Sequence, residues 1–293
     1  MATITQLRAF HAVAASKGFS QAARETTFSQ PNLSGQVRQL EAAAGFALFE
    51  RRPHGVTLTP EGEDLQQITA RLVALIEEAE SFLKSRRSDG GHLRLASDGV
   101  NHALPVLQAM RADRPHLTFA LKVLNSDAVL DQILQYRADV GISAQVPQDP
   151  RFHTQPFMTM RLRLMLPVAH PWAKRSEIDL RELAGESFVL RERGSRTREA
   201  FERALSLAGV ELGRVVEIST REGVREAVAH GFGLGVVADR DHVPDPRLSL
   251  SSLSGTQTAL QEYLICLAER RRVPLIQHFL RCAAADAEVA RRQ

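Results

Sequence analysis

The sequence predicts an α/β protein in three parts: a winged helix-turn-helix over residues 1–59, a linker helix over 60–87 and a two-lobed α/β domain over 88–293. Three patterns support this prediction. Short helical segments precede a basic turn, apolar residues then recur at heptad spacing, and strand-like segments afterwards alternate with helical ones. A chain of 293 residues has room for two or three such domains.

The composition excludes several classes of protein. Hydrophobic residues make up 44% of the chain and charged residues 24%, as in soluble globular proteins. Cys266 and Cys282 are too few for a disulfide framework and lack the Cys/His spacing of structural zinc sites, so we expect neither a cofactor nor a metal. Apolar runs such as residues 72–76 are too short to span a bilayer, and the first residues do not resemble a secretory leader. We therefore expect a cytoplasmic protein without a membrane partner.

The formal net charge of +3 lies entirely within residues 1–59, where six basic residues stand against three acidic ones. A local excess of positive charge favours a polyanionic partner, because phosphates attract it and release counterions on contact. Three charges are only a weak signal, and the helices of this segment add to it.

Three short helices are predicted in the first part of the chain. The first runs from Ile4 to Ser16, with apolar residues at helical spacing. Ser20 is predicted to cap a second helix over residues 21–26. A third helix opens at Ser29, with Pro31 in its first turn, where the missing N–H of proline costs no hydrogen bond.

The third helix has two different faces. One face is apolar and the opposite face is small and polar. The apolar set is Leu33, Val37, Leu40 and Ala44, and the opposite set is Pro31, Gly35, Arg38 and Ala42, flanked by Asn32, Ser34 and Gln39. Small residues let a backbone approach a DNA groove, and Gln, Asn, Ser and Arg reach base edges or phosphates. A solvent-facing helix of any globular protein has the same polarity, so this pattern alone leaves both interpretations open.

The segment after Gly45 favours the DNA-binding interpretation. Residues 48–59 predict two short strands around a basic turn that includes Arg51 and Arg52, an arrangement typical of a wing that lies along phosphates.

Five blocks of this segment resemble, in order, the DNA-binding signature of LysR-type transcriptional regulators. They are Phe19-Ser20-Gln21-Ala22-Ala23, Ser29-Gln30-Pro31-Asn32-Leu33-Ser34, Leu40-Glu41, Leu48-Phe49-Glu50-Arg51 and Leu58-Thr59-Pro60-Glu61-Gly62. The resemblance implies double-stranded DNA as a partner. The implied DNA-binding residues are Ser29, Gln30, Pro31, Asn32, Ser34, Gly35 and Arg38 in the recognition helix, with Arg51 and Arg52 in the wing.

This sequence departs from the family pattern at Thr26, Phe28 and Ala44, where the family has leucine, valine and leucine. We expect Phe28 to fill the space that the two smaller residues leave. Gly35 is a further departure, because glycine inside a helix costs about 1 kcal/mol relative to alanine. Close approach of the backbone to DNA would offset that cost.

Residues 60–87 predict one long helix with a heptad stripe. The stripe consists of Leu65, Ile68, Leu72, Leu75, Ala79 and Phe82. Such spacing favours pairing with a second copy of the chain, and packing on its own domain is the alternative. The family resemblance implies a homodimer or a homotetramer. Residues 88–91 break the pattern and predict a hinge.

Beyond the hinge, strand-like and helical segments alternate in two sets. The first lobe is predicted over about residues 91–160 and 267–293, and the second over about 161–266. Predicted strands lie at residues 92–96, 117–123, 138–142, 162–166, 188–190, 215–218, 234–237 and 263–267, and predicted helices at 103–114, 128–136, 198–208, 222–230 and from 274 onward. Two such lobes joined by crossing strands form a periplasmic-binding-protein-like clamp, which the family resemblance also implies.

Ligands of open α/β sheets bind beyond the carboxyl ends of the strands, where helix N-termini present free N–H groups. The residues there predict the effector-binding set Ser97, Asp98, Asn125, Ser126, Ser195, Arg196, Thr197, Arg198 and Glu222. Ser126, Ser195 and Thr197 would donate to an anion, Arg196 or Arg198 would supply charge, and Asp98 would hold an ammonium group. Ordinary helix caps are the alternative for each of these positions.

Part of the effector domain resembles a LysR-type subgroup associated with aminoethylphosphonate catabolism. The segments that carry this resemblance are residues 125–126, 134–140, 189–198, 221–228 and 262–267. It implies a small anionic effector, most specifically 2-aminoethylphosphonate. A phosphate ester or a carboxylate would fit nearly as well.

Two other functions compete with that of a regulator. An enzyme, such as a transferase that uses Ser195 and Arg198, is disfavoured because the chain has no Gly-x-Ser-x-Gly elbow, P-loop or His-Glu-x-x-His motif. The Gly231-Phe232-Gly233-Leu234-Gly235 run follows a helix and leads into a strand, the reverse of a dinucleotide-binding loop, and predicts a turn. A nucleoid-type DNA binder without a sensor is disfavoured by the neutral, cleft-forming segment of two hundred residues.

Overall fold

The computed structural model describes residues 1–52, 55–85, 91–255 and 259–291, with backbone only at residues 51, 52, 78, 81, 82, 84, 85 and 287–291. The chain divides into two compact units, Met1–Ser88 and Asp89–Gln293. Within the described ranges, no helix is long and apolar enough to cross a membrane.

The first unit is a winged helix-turn-helix followed by a long helix, as predicted. Its elements are α1 (Ile4–Ser16), α2 (Phe19–Glu25), α3 (Gln30–Ala44), β1 (Phe49–Arg52), β2 (Gly55–Leu58) and α4 (Pro60–Ser85). Thr3 and Gln6 form a reciprocal capping box at the start of α1. Gly45, in the left-handed region at φ 80°, ends α3.

The small core of this unit lies between α1, α3 and the wing. Phe10, Val13, Leu33 and Leu48 are completely buried there. Phe28 packs against the same core. The Thr26 hydroxyl donates to the Ala22 carbonyl, so this polar replacement is satisfied inside its own turn.

Two local predictions are wrong. Ser20 does not cap α2, because the helix begins at Phe19, two residues before the predicted start, with Gly18 as its N-cap. The Ser20 hydroxyl donates to Gln30 Oε1 at 3.3 Å. Ala44 is exposed rather than part of the apolar face, because it is the last residue of α3, directly before the turn at Gly45.

Along α4 the heptad stripe is only partly covered within its own unit. Leu65 packs against the small core and Leu72 is half-buried, whereas Ile68 and Leu75 have 64% and 61% of their surface exposed. The predicted Phe82 side chain, the turn at residues 53–54 and the hinge residues 88–90 lie outside the part that the structure describes.

The second unit contains ten strands and five helices within the described ranges. They are β3 (Gly91–Ser97), α5 (Val100–Asp113), β4 (Leu117–Val123), α6 (Ser126–Leu134), β5 (Val140–Ser143), β6 (Phe152–Pro167), β7 (Glu177–Asp179), β8 (Phe188–Leu190), α7 (Arg196–Ala208), β9 (Val215–Glu217), α8 (Arg221–Ala229), β10 (Leu234–Ala238), β11 (Leu248–Ser254), β12 (Ala259–Leu267) and α9 (Pro274–Arg291).

These strands form two parallel sets joined by antiparallel crossing strands, which confirms the predicted two-lobed clamp. β3 pairs in parallel with β4 and β5, and β8 pairs in parallel with β9 and β10. The order along the sheet is β4-β3-β5-β12-β6-β10-β8-β9. β6 serves both sets, since it pairs with β12 in its first half and with β10 and β11 in its second.

The crossing strands differ most from the predicted pattern. β6 begins at Phe152, ten residues before the predicted strand, and includes Pro156 beside a register shift between Glu262 and Tyr263 of β12. Proline has no backbone N–H to donate to a neighbouring strand, and within sheets it often marks a β-bulge. A strand that contains proline is therefore hard to recognise in a sequence. Residues Tyr263–Ile265 already pair with β5, which belongs to the first lobe. The chain therefore returns to that lobe before residue 267, the predicted boundary.

Candidate functional site

The polar face of α3 is exposed in the first unit. Leu33, Val37 and Leu40 anchor the helix in the core. Of the predicted DNA-binding residues, Ser29, Gln30, Pro31, Asn32 and Arg38 are exposed, and Ser34 and Gly35 are half-buried. The Ser29 hydroxyl caps α3 by accepting from the Asn32 amide at 3.4 Å.

The wing is held to the recognition helix by Glu41. Its Oε1 atom accepts hydrogen bonds from the backbone amides of Leu48 at 2.8 Å and Phe49 at 3.2 Å. β1 and β2 form an antiparallel pair in which Arg51 lies opposite Val56 and Arg52 opposite Gly55. The predicted Arg51 and Arg52 side chains lie outside the described part of the structure.

Gly35 has open space beside it. A Cβ atom at this position would meet no heavy atom within 4 Å outside its own helix. Packing within the unit therefore does not require glycine at position 35.

The second unit has a cleft with two adjoining recesses, of about 510 Å³ and about 20 Å³. The carboxyl ends of β4 and β8 and the N-termini of α6, α7 and α8 surround it. Both recesses share the lining residues Leu124, Asn125, Arg191, Thr197, Arg221 and Asp241. This position agrees with the rule that ligands of α/β sheets bind beyond the carboxyl ends of strands.

Most of the predicted effector-binding residues line this cleft. Asn125, Thr197 and Glu222 line the larger recess, and Asp98, Asn125, Ser126, Ser195, Arg196 and Thr197 line the smaller one. Ser97 and Arg198 line neither recess.

Ser97 and Arg198 instead form hydrogen bonds with other residues of the second unit. The Ser97 hydroxyl is completely buried and donates to the Gly99 carbonyl at 2.7 Å. The Arg198 guanidinium donates to Glu202 at 2.7 Å and to Glu217 at 2.6 Å. Arg198 therefore stabilises its own lobe rather than supplying charge to the cleft.

The predicted role of Ser126 also needs correction. Its hydroxyl donates to Asp98 Oδ2 at 2.7 Å, so its proton is not available to an anion in this arrangement. The Arg196 guanidinium is shared between Asp127 at 2.9 Å and Glu199 at 2.6 Å. These two carboxylates neutralise much of the charge that Arg196 was expected to supply.

Ser195, in contrast, is the N-cap of α7 without a side-chain capping hydrogen bond, and only 6% of its surface is exposed. Its hydroxyl and that of Thr197 stand beside the free N–H groups of the first turn. Such a helix start favours an anion through both hydrogen bonds and the helix dipole.

Three arginines that the prediction missed line the cleft: Arg191, Arg221 and Arg225. Arg191 pairs with Glu192 at 2.8 Å, and Arg221 pairs with Asp241 at 3.0 Å and donates to the Asp98 carbonyl. Arg191 directly follows β8 and Arg221 opens α8, so the strand-end rule that selected their neighbours also applies to them.

Three buried carboxyl groups line the smaller recess, those of Asp98, Asp241 and Glu262, and the buried His102 lies next to all three. Burial opposes ionisation of Asp241, but His102 and the Arg221 guanidinium outweigh it and hold the pKa of that carboxyl below its usual value. Burial, together with Asp98 and Asp241, raises the pKa of Glu262 well above its usual value. Asp98, His102 and Glu262 could hold a metal ion.

Comparison with known proteins agrees with this architecture. The model of the bacterial regulatory helix-turn-helix protein, lysR family, matches residues 4–63, and that of the LysR substrate binding domain matches residues 86–288. The RuBisCO operon transcriptional regulator of Allochromatium vinosum is 32% identical over 291 residues, which cover 97% of this chain and 96% of that protein.

Two solved structures have the same fold. Full-length CbnR in complex with its target DNA has a TM-score of 0.71 at 22% identity and covers 97% of this chain and 100% of that chain. The regulatory domain of CcmR from Synechocystis PCC6803, in complex with 2-PG, has a TM-score of 0.61 at 25% identity and covers 68% of this chain and 97% of that chain.

The relatives and structural neighbours are transcriptional regulators, which sets aside the enzyme alternative. With both family models matched in the predicted order, the chain belongs to the LysR family of transcriptional regulators, whose DNA-binding helix-turn-helix precedes a domain for a small-molecule effector.

Proposed function

We propose that this regulator binds a specific double-stranded operator by inserting α3 into the major groove, with the wing along the adjacent phosphates. The exposed, small and polar face of α3 supports this, as does the net charge of +3, all of which lies in residues 1–59. Asn32 and Arg38 would reach base edges or phosphates, and Pro31, Ser34 and Gly35 would allow close approach. Because the proposed target is promoter DNA, we also propose that the protein is cytoplasmic.

Footprinting on DNA upstream of neighbouring genes would define the operator. Titration of the labelled operator by fluorescence anisotropy at several salt concentrations then tests α3. Asn32→Ala should relax specificity with a cost of about tenfold or more, because a well-placed base contact contributes about 1–3 kcal/mol. Lys174→Ala removes an exposed charge from the second unit and should leave binding unchanged. Equal affinity of the full chain for operator and unrelated DNA would favour the nucleoid-type alternative.

We also propose that the chain works as a homodimer or homotetramer. The support is α4, on which Ile68 and Leu75 are seven residues apart and largely exposed. A paired α4 would hold two copies of α3 in register, about 34 Å apart, on successive turns of the duplex.

For the second unit we propose a small anionic effector bound in the cleft. The main support is the start of α7. There the buried Ser195, whose hydroxyl makes no capping hydrogen bond, lies beside Thr197 in a recess lined by Arg191 and Arg221. Two hydroxyls, free helix N–H groups and nearby guanidinium groups form the donor set that binds phosphoryl or carboxylate oxygens.

2-Aminoethylphosphonate remains the specific prediction for this effector. Its phosphonate would bind at the start of α7, and its ammonium group would meet Asp98, whose Oδ1 atom is buried and makes no hydrogen bond. A phosphate ester or a carboxylate would meet the same donor set and is the main competitor, and 2-PG, with which the regulatory domain of CcmR was solved, is a further candidate.

Isothermal titration calorimetry of the full chain tests the class and the compound together. The panel consists of 2-aminoethylphosphonate, 2-PG, inorganic phosphate and a dicarboxylate. Binding of any of these supports the anionic class, and preference for 2-aminoethylphosphonate over 2-PG supports the specific prediction. No heat with any anion would overturn the proposal. A true effector must also change the footprint, because it shifts promoter occupancy only by its difference in affinity for the two states of the protein.

A further inference from the structure

Asp98, His102, Asp241 and Glu262 form a buried cluster, with 7%, 1%, 7% and 2% of their surface exposed. Asp98 follows β3, His102 lies in the first turn of α5, Asp241 ends a short 3-10 helix and Glu262 lies in β12. Such residues are almost never this deeply buried unless they are paired or bind an ion.

The donor atoms of three of these residues face one another. His102 Nδ1 lies 3.8 Å from Asp98 Oδ1 and 3.9 Å from Glu262 Oε1. One ligand atom from each residue lies within 4.8 Å of the other two. Ligands that share a metal ion at about 2.0–2.2 Å lie about 3–4 Å apart, so small side-chain movements would bring all three into coordination.

Several of these atoms have no hydrogen-bond partner within the described structure. They are Asp98 Oδ1, Glu262 Oε2 and His102 Nδ1, the ring nitrogen that faces these two carboxyl groups. A buried polar atom without a partner is destabilising, so three of them in one cluster are unfavourable unless a ligand satisfies them.

The far side of the imidazole has the partner that a metal-bound histidine requires. His102 Nε2 lies 3.3 Å from Asp241 Oδ1, and Asp241 is held in turn by Arg221 at 3.0 Å. Metal-binding histidines almost always direct their second ring nitrogen to a carboxylate, carbonyl or water, which fixes the ring and its tautomer.

The backbone is also built to admit the imidazole. A Cβ atom at Gly99 would lie 2.7 Å from both Cε1 and Nδ1 of His102 and 3.2 Å from Asp241 Oδ1. Gly99 is therefore required for the close approach of this ring and its carboxylate to the backbone.

The Arg221 guanidinium pairs with Asp241 at 3.0 Å. A divalent cation between Asp98, His102 Nδ1 and Glu262 would place positive charge among the carboxyl groups of this cluster.

We propose that Asp98, His102 Nδ1 and Glu262 bind a divalent first-row transition metal ion, with Asp241 as the carboxylate that orients the imidazole. One imidazole and two carboxylates suit Zn²⁺, Mn²⁺ or Fe²⁺ better than Mg²⁺ or Ca²⁺, which prefer oxygen ligands alone. Asp98, Asp241 and Glu262 also line the smaller recess of the cleft, which provides an entry path. This site goes beyond the proposed anionic effector and would make the regulator responsive to a metal.

A second group, Asp113, His278 and Cys282, also has metal-ligand spacing. The Asp113 side chain is 67% exposed, and its Oδ2 atom lies 4.0 Å from His278 Nε2. This group of three has no second carboxylate. It therefore provides the control for the proposed site.

The test uses the full chain, stripped with a chelator and titrated with Zn²⁺, Mn²⁺ and Co²⁺, with bound metal counted by mass spectrometry. One ion per chain should bind, and the Co²⁺ spectrum should lack sulfur-to-metal charge transfer. His102→Gln and Glu262→Gln should each weaken binding at least tenfold, and Asp241→Asn about tenfold to a hundredfold. Cys282→Ser should bind like the unmodified chain. Circular dichroism of each stripped variant verifies that it folds.

Absence of binding at millimolar metal would overturn the proposal. So would unchanged affinity in both His102→Gln and Glu262→Gln, or loss of binding in Cys282→Ser. If a variant does not fold, Glu262→Asp provides a second measurement, because it keeps the charge but shortens the reach and should weaken binding. An ammonium-bearing effector would compete with the metal for Asp98 Oδ1, so metal titration in the presence of 2-aminoethylphosphonate distinguishes the two occupants.

Discussion

Glu41, near the end of the recognition helix, accepts the backbone amide of Leu48 at 2.8 Å. The same Oε1 atom accepts the amide of Phe49, the first residue of the wing, at 3.2 Å. One carboxylate therefore joins the two elements that are proposed to touch DNA, and it fixes the position of β1 relative to α3.

We expect Glu41→Ala to loosen the wing. The variant leaves two backbone amides without their charged acceptor, and hydrogen bonds to a charged group contribute about 1.5–3 kcal/mol each. The free energy of unfolding of the first unit should fall by about 3 kcal/mol or more, and operator affinity should fall with it. Glu41→Gln keeps an acceptor oxygen and should lose less in chemical denaturation. Unchanged stability of Glu41→Ala would contradict a role for these hydrogen bonds.

Gly35→Ala tests whether the glycine that lowers the stability of α3 is needed for DNA binding. Because open space surrounds position 35, alanine should stabilise the first unit by about 1 kcal/mol. If the backbone of α3 approaches DNA closely there, the added methyl group should nevertheless weaken operator binding about tenfold, a cost of about 1.4 kcal/mol. Thermal unfolding and anisotropy on the same preparation measure both effects. A variant that is more stable and binds equally well would refute close approach at Gly35.

Regular periodicity made most of the fold predictable. Leu33, Val37 and Leu40 follow helical spacing and are buried, and the alternation after residue 91 predicts the two parallel sets of strands. Capping and crossing strands were less predictable, because Ser20 competes as N-cap with Gly18 two residues earlier and Pro156 interrupts the pattern of β6.

The cleft residues were only partly predictable for a different reason. The rule of strand ends selects positions, but the direction of a long side chain depends on carboxylates that are distant in sequence. Arg198 follows the rule and yet points to Glu217, whereas Arg221 lines the cleft and pairs with Asp241. The cluster around His102 was missed because Glu262 lies 160 positions away from it in the sequence.

The start of α7 offers a direct test of the effector cleft. Thr197→Ala and Ser195→Ala should each weaken anion binding about tenfold or more, because a hydrogen bond to a charged ligand contributes about 1.5–3 kcal/mol. Neither hydroxyl caps its own helix, so we expect little change in stability. Calorimetry with the anion identified in the panel provides the measurement.

Arg198→Gln is the matched variant for that comparison. It should destabilise the second unit, because Glu202 and Glu217 lose their shared guanidinium, but it should leave anion affinity nearly unchanged. If Arg198→Gln instead lost anion affinity without losing stability, Arg198 would be an effector-binding residue, as the sequence predicted.

The ionisation of Asp139 should make the stability of the second unit depend on pH in the acid range. Burial alone would raise the pKa of its carboxyl, but hydrogen bonds and charge from Arg94, together with Arg270, lower it below 3.8. A depressed pKa contributes stability above the unfolded value, and that contribution is lost as the pH falls through the folded value. The difference in unfolding free energy between the unmodified chain and Asp139→Asn should therefore be constant above about pH 5 and shrink below about pH 4.

Removal of one partner from a buried ion pair costs about 3–5 kcal/mol, so the Asp139→Asn difference should be easy to measure at neutral pH. Urea denaturation at several pH values, followed by the fluorescence of Trp172 in the same unit, provides it. A difference that grows toward low pH would have the wrong sign and would contradict the ion-pair interpretation.

Ile68→Glu tests whether the stripe on α4 holds two copies of the chain together. Ile68 is 64% exposed in the single chain, so a charge there should be tolerated by the isolated fold. In a paired helix the same charge would be buried against its own copy, and both desolvation and like-charge repulsion would oppose association. Sedimentation should therefore show the dimer dissociating at concentrations at least tenfold higher. Gln67→Glu places the same charge on the adjacent exposed position and should leave the dimer intact. If both variants sediment like the unmodified chain, association uses another surface, and the operator footprint should then keep its half-site spacing in Ile68→Glu.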